Sequence, residues 1–236
     1  MQATAPLSPR PARERRQHAV ELLVFLLLVL PSLAASLVAS RVQELSFVTV
    51  AVATAFRDVA LVALVLYFLW RNGERRTTIG WSTRHAAREV VLGAALFPLA
   101  ALVAGVVVAS FHALGLSTLS RPPHALSPRG PAETALAVVL VAIVAVSEET
   151  IFRGYLLVRL RELGRSTPLA VALSTAIFTL GHGYEGAAGM LGVATLGVAF
   201  ALVYLWRKSL IAPITMHFCQ DFIAIAIAPH VAHAVR

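Results

Sequence analysis

Residues 135–155 read ALAVVLVAIVAVSEETIFRGY. An unbroken apolar run from Ala135 to Val146 ends in Ser147, and then come Glu148, Glu149 and, four residues further on, Arg153. What the apolar run means depends on its surroundings. The chain has 236 residues, of which 58% are hydrophobic and only 14% charged, and its mean hydropathy is +0.78. A soluble domain of this size carries about a quarter charged residues. A helix in lipid needs about 20 apolar residues, and several runs of that length are present. The fold class is therefore all-α, a polytopic transmembrane bundle of about seven helices.

Working outward, the hydrophobic runs predict helices over 19–40, 47–70, 87–112, 133–163, 167–183, 187–206 and 209–228. Residues 1–18, containing PLSPRPARERR, read as a disordered basic tail on the cytoplasmic side. Residues 19–112 form an N-terminal set of membrane helices, 113–132 a loop rich in Pro and Ser, 133–228 the core that carries the chemistry, and 229–236 a short tail. The first apolar run also has the ingredients of a signal peptide, with arginines before it and SLAAS near its end. It is long for that purpose, so it reads as a membrane helix.

The net charge of +8 raises the question of nucleic-acid binding, but the arginines are distributed as a membrane topology would place them. With the N-terminus inside, the inside segments hold four in the tail, five in 71–88, four in 153–165 and two basic residues at 207–208. The outside segments hold only Arg41, Arg121, Arg129 and Arg236, and Arg57 lies within a helix. This is the positive-inside pattern. It argues for a lipid bilayer partner, with a bacterial inner membrane as the expected location, and against nucleic acid. One cysteine, Cys219, excludes an internal disulfide framework and a four-cysteine metal site.

Each ionisable residue inside a membrane helix then needs a reason. Insertion scales put the cost at about 2.5–3.5 kcal/mol per charge, so Glu148, Glu149 and Arg153 together cost roughly 8–10 kcal/mol before compensation. Glu149 and Arg153 are spaced i,i+4, with the acid N-terminal, and are expected to pair. Glu148 is turned about 100° from Glu149 and is left available. After the turn ELGRSTP, the next helix brings Phe178 and His182. Glu148 and His182 are each 17 residues from Arg165, so in an antiparallel pair they lie at equal depth, about 25 Å from the turn. In the last helix MHFCQD places His217 and Asp221 on one face, close to the same level. A carboxylate and an imidazole sharing one water molecule suit its activation, and desolvation makes a carboxylate a better base. A second imidazole beside an acid suits an oxyanion. The set points to hydrolysis of a carbonyl compound, with a peptide bond presented within the membrane as the expected substrate.

The same residues resemble a known family. EExxxR (Glu148, Glu149, Arg153), FxxxH (Phe178, His182) and HxxxN/D (His217, Asp221) are similar to the three motifs of the CAAX protease and bacteriocin-processing family, which includes the type II CAAX prenyl endopeptidases. The resemblance covers about 133–228 and implies an intramembrane glutamic endopeptidase without cofactor or metal. It implies that Glu148 and His182 activate water, that His217 and Asp221 form the oxyanion site, and that Glu149 and Arg153 hold the architecture. Many members carry Asn at the position of Asp221. An ionised Asp cannot donate a hydrogen bond, so here it either keeps His217 protonated or is itself protonated. Phe178 is expected to pack against the site.

Two other functions compete. The same Glu and His residues resemble the ligands of a zinc protease, although HExxH is absent. A polar layer in lipid also suits a proton-coupled transporter or a non-catalytic partner, although no inverted repeat is evident. Arg57 and Asp58 are adjacent and so form no i,i+4 pair. They cap a broken turn, reach other helices, or serve substrate access. Glu185 reads as a loop residue or a support for His182, and GMLGVATLG (189–197) as a close helix-packing face. The expected partner is a membrane-embedded or lipidated protein or peptide substrate; the sequence leaves its identity and the oligomeric state open.

Overall fold

The computed structural model describes residues 12–38, 45–118 and 127–227. The expected tail at 229–236 and residues 119–126 of the expected loop lie outside the described residues. Among the described residues the elements are helical throughout. They are α1 (Ala12–Val38), α2 (Phe47–Arg71), α3 (Ala86–Ala113), α4 (Gly130–Glu149), α5 (Leu157–Gly164), α6 (Thr167–Leu180), α7 (Gly186–Arg207) and α8 (Ile211–Asp221). A π-helical stretch, Thr150–Leu156, joins α4 to α5 as one continuous rod, and a second, Phe222–Ile227, extends α8. Counting each rod once gives the seven expected helices. Five of them are long and apolar enough to cross a membrane, while α6 and the α8 rod are shorter.

Local chemistry sets the boundaries. Ser46 and Ser166 cap α2 and α6 by accepting from the amides of Thr49 and Leu169. The chain leaves α5 and α7 through Arg165 and Lys208, both in the left-handed conformation. Those two turns make the hairpins α5–α6 and α7–α8. The helix α1 starts at Ala12, so the last seven residues of the expected 1–18 tail are helical. Tertiary partners explain this. Arg15 donates to the carbonyl of Leu163, Gln17 bonds Asn72, and Asn72 also donates to Glu21 at 2.8 Å. Polar residues that look like a solvated tail in sequence are here the joint between α1 and the rest of the bundle.

At the same end, fully buried Arg159 donates to Glu74 and Glu162 at 2.5–3.1 Å, and Arg207 pairs with Glu89. The interior is a continuous apolar core of Phe25, Val29, Val65, Phe68, Phe152, Tyr155, Leu156 and Phe178. Large apolar side chains such as Leu27, Leu99, Leu102, Val91 and Leu202 face outward, as a bilayer allows and water does not. Helix α7 packs closely, as its small residues predict. A Cβ on Gly192 would meet Val108 of α3 at 2.5 Å. The result is a bundle whose short helices, α6 and α8, bring polar side chains to the end of α4.

Candidate active site

Glu148 and Glu149 are the last two residues of α4, directly before the π-helical stretch of the rod. Such bulges interrupt the regular helix and are frequent at functional sites. Glu149 is fully buried, Arg153 is 1% exposed, and Arg153 Nη1 donates to Glu149 Oε1 at 2.7 Å. The guanidinium has further company. Its Nη2 donates to the carbonyl of Gly197 at 3.3 Å, and its carbon lies 4.3 Å from the ring centre of Phe178 and 5.3 Å from that of Phe200. Gly197 makes this approach possible, because a Cβ there would stand 3.3 Å from Nη2. The i,i+4 pair is thus one part of a larger, fully enclosed cluster.

Glu149 does more than the sequence indicates. The same Oε1 lies 2.8 Å from Nδ1 of His217, so one carboxylate oxygen accepts from both Arg153 and the imidazole. This fixes the ring of His217, which also stacks on Phe200 and meets Phe178 edge-on. Its other nitrogen, Nε2, lies 3.4 Å from Asp221 Oδ2 and 3.7 Å from Glu148 Oε2. At these separations the contacts are electrostatic more than hydrogen-bonded, which leaves Nε2 space to engage a third group.

His182 follows the last residue of α6 by two positions and sits at the start of the GHGYEG turn. Its Nδ1 donates to the carbonyl of Phe178 at 3.1 Å. A carbonyl only accepts, so the neutral ring carries its hydrogen on Nδ1 and its lone pair on Nε2. Phe178 is 4.8 Å from His182, 5.2 Å from Phe152 and 5.9 Å from His217, centre to centre. It is the apolar divider around which the two histidines are arranged.

Glu148 and His182 line one small, partly open cleft. Its other walls include Val29 and Leu33 from α1, Arg57, Asp58 and Leu61 from α2, and Ile151 and Phe152. The structure therefore gathers Glu148 with His182 around the cleft, and Glu148 with His217 and Asp221 on the side of α8. Glu148 Oε2 is buried without a hydrogen-bond partner. Two features were not legible in the motifs. One is the bond from Glu149 to His217. The other is the presence of Arg57 and Asp58 in the cleft, for which two ionisable residues in an otherwise apolar helix were the only signal. Among the described residues, no group of three His, Cys, Asp or Glu side chains is disposed to hold a metal ion.

Residues 130–223 match the family model described as Type II CAAX prenyl endopeptidase Rce1-like. The match begins at the first residue of α4, runs two residues past Asp221, and so contains all seven motif residues, in keeping with the resemblance read from the sequence. The description of that family names an endopeptidase, the class of activity read from the motifs. No curated protein and no solved structure matches the chain.

Proposed function

We propose that the chain is an intramembrane endopeptidase in which Glu148 and His182 activate water to cut a peptide bond of a membrane-associated protein or peptide. The observation that carries this reading is the single cleft lined by both side chains, with Nε2 of His217 3.7 Å from Glu148. The Rce1-like match supports the class of activity.

In this mechanism a water molecule donates one hydrogen to the Glu148 carboxylate and the other to the lone pair on Nε2 of His182. Its oxygen lone pair then faces the substrate. As the new C–O bond forms, Glu148 takes a proton and the carbonyl π electrons move to oxygen. The resulting oxyanion accepts a hydrogen bond from Nε2–H of His217. Asp221 keeps that hydrogen on Nε2, and Glu149 holds Nδ1–H on the far side, so the ring donates from both nitrogens. When the C–N bond breaks, Glu148 returns its proton to the leaving nitrogen. Atoms and charge balance with water as the only co-reactant.

By the positive-inside rule, we assign the ends bearing Arg71–Arg88, Arg159–Arg165 and Arg207–Lys208 to the cytoplasmic side of a bacterial cell membrane. The test is Glu148→Gln, which keeps size and hydrogen bonding but removes the base. It is expected to lower cleavage by at least about 100-fold with the protein still folded and inserted. Comparing membrane proteomes of cells with wild-type and Glu148→Gln protein would then reveal uncut termini in the variant alone. Equal processing in the two would end this reading.

A further inference from the structure

One charged pair in the cleft has no part in the mechanism above. Arg57 and Asp58, on α2, line the same space as Glu148 and His182. Arg57 commits both Nε (2.9 Å) and Nη2 (2.8 Å) to a single oxygen, Asp58 Oδ1. The other oxygen, Oδ2, is buried without a donor, and Asp58 as a whole is only 2% exposed. The Arg57 side chain is 41% exposed, and among the described residues its Nη1 group has no hydrogen-bond partner. The pair thus presents, side by side, an acceptor that lacks a donor and donors that lack an acceptor.

Charge narrows the choice of ligand. Arg57 and Asp58 cancel each other, and Glu148 adds a further carboxylate to the cleft. An anionic ligand would meet two carboxylates against one guanidinium. An amide is the neutral group that offers a donor and an acceptor together, its N–H for Asp58 Oδ2 and its C=O for Arg57. Val29, Leu33, Leu61 and Ile151 supply apolar walls, which suit the side chains of an extended apolar segment. We propose that Arg57 and Asp58 form a main-chain docking site, which holds a substrate backbone amide in the cleft that contains Glu148. This rests on the reading of the cleft as the place where a peptide is cut. It predicts tolerance of side-chain identity at the docked residue, because the contacts are to backbone.

The experiment uses the full chain in detergent. The probe is an N-acylated, fluorescein-labelled ten-residue peptide of Leu, Val and Ala. A set of analogues each has one backbone N–H replaced by an ester oxygen. Binding is followed by anisotropy in the Glu148→Gln background, so that no probe is consumed. With Asp58 intact, one analogue is expected to bind about 10- to 100-fold more weakly than the parent, the size of a hydrogen bond to a charged group. In Asp58→Ala the parent falls by the same factor, and that analogue loses nothing further. Asp58→Asn, identical in shape, turns its oxygen to Arg57 and sets its NH2 where Oδ2 stood. It loses the same selectivity and guards against a folding failure of the alanine variant. No saturable binding with Asp58 intact, or equal losses for every analogue in Asp58→Ala, would overturn the proposal. Cleavage of the same peptides is scored in parallel. If Glu148 proves irrelevant to cutting while the ester pattern holds, the protease reading falls and the docking site stands. If cutting needs Glu148 but no position couples to Asp58, the docking site alone falls.

Discussion

The most direct test of the site's construction is a double-mutant cycle on Glu149 and Arg153. Both are sealed from solvent, at 0% and 1% exposure. Changing Glu149 to Met, of similar volume, leaves a buried guanidinium whose direct contacts are the Gly197 carbonyl at 3.3 Å and the two ring faces of Phe178 and Phe200. Breaking a buried pair from one side costs about 3–5 kcal/mol, because the surviving charge is uncompensated. For a chain of this length each kcal/mol moves the unfolding midpoint by about 2–4 °C. Glu149→Met should therefore lower the midpoint by about 6–20 °C. Arg153→Met should fall in the same range, since it orphans the carboxylate. The double variant removes both charges of the pair and leaves only one donor, His217 Nδ1, without its acceptor, so it should recover about 1–3 kcal/mol of the summed loss. Thermal unfolding in detergent, followed by tryptophan fluorescence, reads all three. Losses that add to within about 0.5 kcal/mol would refute the coupling, since independent sites add to that tolerance.

The cycle also separates stability from catalysis. The double variant, whatever stability it recovers, still lacks the oxygen that accepts from His217 Nδ1 at 2.8 Å. It should stay at least about 100-fold below wild type in cleavage, on the scale of a lost oxyanion donor. Full activity in a refolded double variant would show that Glu149 has no part in orienting the imidazole.

Gly197→Ala places a Cβ 3.0 Å from Thr175 Cγ2 and 3.3 Å from Arg153 Nη2, and should cost about 1–3 kcal/mol as an overpacked contact. The matched control is Gly105→Ala, where a Cβ meets nothing within 4 Å and no loss is expected in the same melt. Cleavage should persist undiminished in 1,10-phenanthroline and EDTA, because the proposed base is a side chain. Loss of activity on chelation, with stoichiometric zinc in the purified protein and recovery on its return, would favour the metal reading.

How much of this was readable in the chain differs from element to element. The helices were legible because lipid demands long apolar runs, and the chain breaks them with basic turns. Arg165 and Lys208 mark the two hairpins with arginine and lysine where glycine is the usual signal. Equal sequence distance from Arg165 put Glu148 and His182 at one depth, and both line one cleft. The i,i+4 rule gave Glu149–Arg153 for the same reason, since both partners share one rod. What needed coordinates was everything that joins separate rods. Glu149 Oε1 reaches His217 only because α8 packs beside α4. The start of α1 reads as a tail until Asn72, Glu21 and Leu163 supply its partners. The π-helical stretch after Glu149 has no signature in ETIFRGYL.

Unmet hydrogen bonds and the lining of the cleft together separate the charges held by the protein from those that face a ligand. Glu149 Oε1 and Arg153 are closed on one another, on His217 and on Gly197, so the Glu149 charge is held by the protein through that one oxygen although its Oε2 has no donor. Glu148 Oε2 and Asp58 Oδ2 are buried and have no donor, yet both residues line the cleft. An ionised oxygen without a donor is costly in any dry interior, and more so within a bilayer. A helix that only had to cross lipid would replace both acids with leucine at no loss of packing. That two of the three donorless carboxylate oxygens among the described residues belong to residues lining a single cleft is understandable if donors arrive from outside. A water molecule at Glu148 and a backbone amide at Asp58 would satisfy both, and the placement of these acids then follows from the chemistry of a hydrated peptide bond.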